Sequence, residues 1–380
     1  MHDSLISIPA ASAEWSHWLT GVQHDFFHTA GHHLAWQEAG AGEARMVVYS
    51  SDDQAVAWPH LRRPIVSPDG SETGLFDITS VDGYAGPLCR NCAPQDAFTA
   101  KALEAIFQHW LESGVVSAFS RFDPLLKNQL AAGAPETCPA ALFEDACHGL
   151  RHQGHTISID LELTDDAALS QYRESHLRQI RKAFKKGLTV EVDDSPAAFL
   201  EFVRLYHQTM QRNRADAHYF FSAQFLARLR DDLGAGASIH VARLEGRIVG
   251  AVFITEFQGT VQYLLGGLEE NMQQLSPLKA LLEGVRRWAR ERGNRSLHLG
   301  GGRGCNDDDP LFYFKAGFSE RRHCFYTGRW ILNQQQYNAL VEAHRGHALA
   351  RGFEAGCTDF FPAYRAPVSK LPLQELVPLA

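Results

Sequence analysis

Between Leu275 and Phe318 the chain reads as a capped amphipathic helix, a short strand, a glycine run and a Phe-Lys pair, in that order. Ser276 is a favourable N-cap and Pro277 suits the first helical position, where no backbone N–H is needed. Leu278, Leu281, Leu282, Val285, Trp288 and Ala289 then recur at helical spacing, so one face is apolar, and Gly293 stands just past the basic end as a stop. Leu297-His298-Leu299 follows as a strand and Gly300-Gly301-Gly302-Arg303-Gly304 as a turn without side-chain bulk. A preceding strand at Thr260–Gly267 makes this a β-α-β unit, which commits the chain to an α/β fold with a mixed sheet.

Similar text surrounds it. Arg45–Ser50 and Gln54–Leu61 read as a hairpin across Asp52-Asp53, Gly74–Ile78 as a strand, Asp96–Glu112 as an amphipathic helix and Val115–Phe122 as a strand. Thr156–Leu163 alternates as a half-buried strand, 167–186 reads as one strong basic helix ended by Gly187, and Leu188–Val192 is a strand. Helices are expected at 196–212 and 222–233, strands at 238–244, 248–257 and 260–267, a closing strand at 321–332 and a helix at 334–344. Between the two middle helices, Arg212–Phe221 is a polar and aromatic loop of the kind that borders clefts. A chain of 380 residues suggests two domains, here 1–153 and 154–345, joined near 153–163, with a tail at 346–380.

Composition excludes several classes. No apolar run is long enough for a transmembrane helix, and no basic-then-apolar leader opens the sequence, so a cytoplasmic protein is expected. Seven scattered cysteines make no disulfide framework, and Cys89-Arg90-Asn91-Cys92 lacks a partner pair at zinc spacing. The histidines at 32–33 and 148–155 read as core or surface residues, and Asp307-Asp308-Asp309 as a solvated start to a helix at Pro310, so no metal is expected. A net charge of −8 argues against a surface that grips nucleic acid throughout, but the helix holding Arg173, Arg178, Arg181, Lys182, Lys185 and Lys186 is strongly basic. It is either a solvated face or a phosphate contact.

The order Ser276-Pro277, Trp288-Ala289, Gly293, Leu299–Gly302 and Phe314-Lys315-Ala316-Gly317-Phe318 resembles the C-terminal half of the GNAT-type domain in the Fem family of aminoacyl-tRNA-dependent transferases. Asp77-Ile78-Thr79 through Gly83-Tyr84-Ala85-Gly86-Pro87 is similar to that family's acceptor-side loop, and Arg178 to Ala183 to its basic helix. The resemblance implies two tandem GNAT-like domains, mixed sheets flanked by helices, with the cleft mainly in the second. It implies transfer of an amino acid from the acceptor stem of an aminoacyl-tRNA to an amine of a small-molecule or peptide acceptor, with no cofactor besides the donor. Lys315, with Phe314, is then the group that stabilises the oxyanion. Asp77, Tyr84, Arg178, Arg181, Lys182, Arg214, Tyr263, Gly301 and Arg303 are the expected substrate contacts. The long helical arm of some family members has no counterpart, so a small soluble acceptor stands on an equal footing with a peptidoglycan one.

The donor question stays open to a second answer, an acyl-CoA or acyl-carrier thioester. Acetyl-CoA-dependent GNAT enzymes hold pyrophosphate on a glycine-rich loop before the main helix. Here Leu268–Pro277 has no glycine and carries Glu269 and Glu270, so that cradle is absent or altered. No nucleophile triad or nucleotide loop is present. For a general base, His298, Tyr263, Asp77 and Glu256 are the candidates.

Overall fold

The computed structural model describes residues 3–134, 149–303, 309–355 and 359–370. In chain order the strands are β1 (Asp3–Pro9), β2 (Glu43–Ser51), β3 (Gln54–Val66), β4 (Glu72–Thr79), β5 (Leu88–Arg90), β6 (Val115–Arg121), β7 (Gly149–Asp160), β8 (Thr189–Val192), β9 (Ala237–Leu244), β10 (Arg247–Phe257), β11 (Thr260–Leu268), β12 (Ser296–Gly300), β13 (Arg322–Ile331), β14 (Phe353–Ala355) and β15 (Val368–Lys370). The α-helices are α1 (Ala13–Leu19), α2 (Ala30–Glu38), α3 (Ala97–Glu112), α4 (Asp165–Ser170), α5 (Glu174–Lys185), α6 (Pro196–Arg212), α7 (Ala223–Leu233), α8 (Pro277–Glu291), α9 (Pro310–Lys315) and α10 (Gln334–Ala350).

Each half repeats one arrangement. In the first, β1, β2, β3 and β4 form an antiparallel meander, and β4 passes through α3 to a parallel β6. In the second, β8, β9, β10 and β11 do the same, and β11 passes through α8 to a parallel β12. Helices cover both faces: α3 opposes α1 and α2 in the first half, and α5 with α8 opposes α6 with α7 in the second. Such burial on both sides is what parallel strand pairs require.

The two halves do not keep separate sheets, as two tandem domains suggest. They merge into one 13-stranded sheet, because β13 pairs with β6 on one edge and with β7 on the other. The strand expected only to close the C-terminal half is therefore the seam of the molecule. The mixed α/β class stands, and its sheet is continuous.

Local chemistry explains the remaining differences. The basic helix expected at 167–186 is two helices, α4 and α5. Between them Tyr172 turns into the core, its hydroxyl donating to Glu283 (2.9 Å), and the Arg173 amide donates to the Gly317 carbonyl (2.9 Å). Those tertiary bonds replace helical continuation. On α8, Ala280, Leu281, Leu282, Val285 and Ala289 are fully buried, as their spacing requires. Ser276 does not cap it through its side chain; it sits in the left-handed region (φ 49°) and donates to Gln179 instead. Cys138, Cys147, Cys305, Cys357, Gly304, Asp307, Asp308 and 371–380 of the tail lie outside the described residues. Among those described, no helix is long and apolar enough to cross a membrane.

Candidate active site

The second half's parallel pair is short. β11 and β12 match only from Thr260↔Ser296 to Gln262↔His298; beyond that β11 continues to Leu268, with a register shift opposite Phe253 and Ile254, while β12 ends at Gly300. The sheet thus opens at the carboxyl ends of parallel strands, where α/β proteins place their ligands.

Lys315 lies at this mouth. It ends α9, whose start is capped by Asp309, the carboxylate accepting from the Leu311 and Phe312 amides. Its ammonium donates to the Gly301 carbonyl (2.7 Å) and stands 5.8 Å from the centroid of the Tyr263 ring. Only 8% of Lys315 is exposed, and this burial pulls its pKa down to about 8. The glycines are necessary for the approach: a Cβ on Gly300, whose φ is +74°, would stand 3.2 Å from the Tyr84 hydroxyl and 3.3 Å from Lys315 Nζ. A Cβ on Gly302 would meet Asp309 Oδ1 at 2.7 Å.

The first half closes the mouth from the opposite side. Gly83 and Gly86, both at positive φ, wrap Tyr84 so tightly that a Cβ would fall 2.1 Å from the Phe27 ring or 2.7 Å from the Asn128 amide. The Tyr84 ring meets Phe27, Phe325 and His298 at 5.6, 5.3 and 5.2 Å. Beside it lies a buried polar chain that joins the halves. Gln262 donates to Asp25 Oδ2 (3.1 Å) and its Oε1 accepts from His298 Nδ1 (2.6 Å). Burial raises the carboxyl pKa of Asp25, and burial together with Asp25 raises that of Asp123 well above the carboxylate range. Burial, with His323 and Lys315 nearby, holds His298 well below the ordinary imidazole value.

The other expected site residues distribute unevenly. Tyr263 and Gly301 join Lys315 and Tyr84; burial raises the Tyr263 phenol to about 12. Arg303 and Arg214 are exposed, and Arg303 is close enough to Tyr219 of the 212–221 loop to act on its phenol. Arg178, Arg181 and Lys182 are exposed on α5, which packs on α8 through Lys279, whose ammonium donates to Gln179 (2.6 Å). Phe314 does not face the mouth with Lys315. Its ring packs on His176 and Phe318 (5.7 and 5.5 Å), which makes it an anchor of α9.

Two assignments are corrected. Asp77 is fully buried with both oxygens engaged, by Arg63 and by Arg365 at 2.6 Å each, so it ties the C-terminal segment to β4. Glu256 is held by Arg292 and Asn294 at the foot of α8, so its carboxylate is engaged in an ion pair. Asp25 and Gln262 carry no signal in the sequence: each is a lone polar residue, and only the fold brings them together.

One cluster could interest a metal. His152, His155 and Cys324 place ligand atoms within 4.8 Å of one another, because an extra residue on β7 at Gly154 (φ 89°) turns both histidines to one side. Cys324 is disulfide-bonded, which removes its thiolate from such a set, whereas Cys89 and Cys92 are free thiols.

Comparison with known proteins bears on the fold. Residues 170–313 match the acetyltransferase (GNAT) domain family. The chain superposes on the crystal structure of FemX with a TM-score of 0.63 at 14% identity, covering 88% of this chain and 99% of that one. Two looser matches are the C-terminal domain of a putative lysylphosphatidylglycerol synthetase from Agrobacterium fabrum (TM-score 0.46, 15% identity, 77% and 85% covered) and a tandem GNAT protein from the clavulanic acid biosynthesis pathway (0.44, 13%, 86% and 98%). Among functionally curated proteins none matches by sequence. The chain shares the fold of FemX, and within its second half residues 170–313 match the acetyltransferase (GNAT) domain.

Proposed function

We propose that the protein forms an amide bond by moving an aminoacyl group from the acceptor stem of an aminoacyl-tRNA to the amine of a small-molecule or peptide acceptor. The observation that carries this reading is the Lys315 ammonium, buried and fixed on the Gly301 carbonyl where β11 and β12 part. An aminoacyl ester is already activated, so the protein has mainly to align the reactants and offer a donor where negative charge develops. The amine nitrogen bonds to the ester carbonyl carbon, the carbonyl pair moves onto oxygen beside Lys315, and collapse breaks the bond to the ribose oxygen. The exposed cations of α5 suit the phosphates of the acceptor stem, and Tyr84, Tyr263 and Arg303 would line the acceptor's side. The loop from Leu268 to Pro277 favours this donor over a coenzyme: its Glu269 is taken up by Arg204, and Ser276 leads into α8 in a left-handed conformation.

The acetyltransferase-domain match supports a second reading, in which an acyl thioester is the donor. Incubation with charged tRNA plus a panel of amines, and separately with acyl-CoA, decides between them. Product that survives ribonuclease treatment of the donor mixture refutes the first reading.

A further inference from the structure

We infer that His298 is the general base of the transfer, held in the required tautomer by an Asp25–Gln262–His298 hydrogen-bond chain that crosses from the first half of the molecule to the second. The inference rests on the acyl-transfer reading above and names the group that receives the acceptor's proton.

The chain fixes the proton positions by elimination. With Asp25 ionised, Oδ2 can only accept, so the Gln262 nitrogen faces it, at 3.1 Å. The other end of the same amide is then an oxygen, and it can only accept, so His298 Nδ1 carries the hydrogen of the 2.6 Å bond. A neutral imidazole so bonded holds its lone pair on Nε2. That atom is buried and has no hydrogen-bond partner among the described residues. A buried acceptor left without a donor is costly unless a ligand supplies one. His298 also ends the part of β12 that pairs with β11, at the point where those two strands separate beside Tyr84 and the Gly300–Lys315 approach.

The groups facing the ring favour a base that stays neutral. Lys315 on α9 and His323 on β13 both disfavour a second positive charge, and His323 is itself engaged with Ser158 on β7 (2.7 Å). From the first half Tyr84 presents its ring, and Asp25 acts through Gln262. In the transfer, the attacking amine gives its N–H proton to Nε2 as the nitrogen–carbon bond forms. The imidazolium returns that proton to the ribose oxygen as the carbon–oxygen bond breaks, while Lys315 keeps its protons throughout. Products are the amide and a free ribose hydroxyl, with no other reactant consumed.

Two measurements test this. Nitrogen-15 spectra of the imidazole should show His298 as the Nδ1–H tautomer, neutral down to mildly acidic pH, and Gln262→Leu should mix the tautomers. Transfer by His298→Gln should fall ~100-fold or more, the range usual for a lost general base, with donor binding unchanged. In Gln262→Glu, a carboxylate at Nδ1 should stabilise the imidazolium and move the acid limb of the rate profile to higher pH. An Nε2–H tautomer, or a His298→Gln enzyme that folds and turns over like the wild type, overturns the base role alone. Wild-type protein that yields no product from charged tRNA or acyl-CoA overturns the transfer reading, and the base role with it.

Discussion

Replacing Lys315 with methionine keeps the aliphatic stem and removes the ammonium, and the structure fixes how stability should respond. The lysine pKa is about 8 in the fold against 10.5 for an ordinary lysine. Between those values the unfolded chain binds a proton that the folded chain does not, so the wild type gains stability as pH rises through this window. Below pH 8 both states are protonated and the burial penalty is felt in full, roughly 3 kcal/mol for a difference of this size. Most of the recovery lies between pH 8 and 10.5, so the wild type should gain about 2 kcal/mol on Lys315→Met between pH 7 and 9.5. Urea unfolding of both proteins across that range, at constant slope, measures the difference directly. Parallel curves would mean that the ammonium is as well solvated in the fold as outside it, which would refute the buried site. Transfer activity should fall in the same variant, because an oxyanion donor is removed.

Other outcomes follow from single interactions. Gly83→Ala should destabilise the protein by about 3 kcal/mol in thermal or urea unfolding, since the new methyl meets the Phe27 ring at positive φ. Arg365→Ala should cost roughly 3 kcal/mol by stripping one partner from the buried Asp77, yet leave kcat/KM for transfer unchanged. The triple variant Arg178→Ala, Arg181→Ala, Lys182→Ala should flatten the salt dependence of tRNA binding, by a slope of ~0.7 to 0.9 for each phosphate no longer neutralised. An unchanged slope would return α5 to the role of a solvated face.

What the sequence discloses tracks how local each signal is. The helix at 196–212 is legible to the residue, because Ser195 caps it through the Ala198 amide and Pro196 opens it. Helix α2 is not legible: its buried face is made of His32, His33 and Ala35, so it carries little apolar periodicity. Lys315, Tyr84 and Gly301 stand out through family-like motifs, Tyr263 only as a polar residue on an expected strand, and the fold brings those four together. Asp77 misleads because a carboxylate in such a motif does not announce that Arg365, far along the chain, will claim it. The Asp25–Gln262–His298 chain is invisible apart from its last member, since its members are set side by side by strand register and by the packing of the halves.

The seam strand has a consequence for synthesis on the ribosome. β6 is made early, but the partner that covers its outer edge begins only at Arg322, after the second half has been translated. Until then β6 and β7 each offer a row of unsatisfied amides and carbonyls to any passing strand. A nascent or truncated chain that stops before Arg322 should therefore depend on chaperones, whereas addition of a peptide spanning 322–331 in trans should restore its solubility.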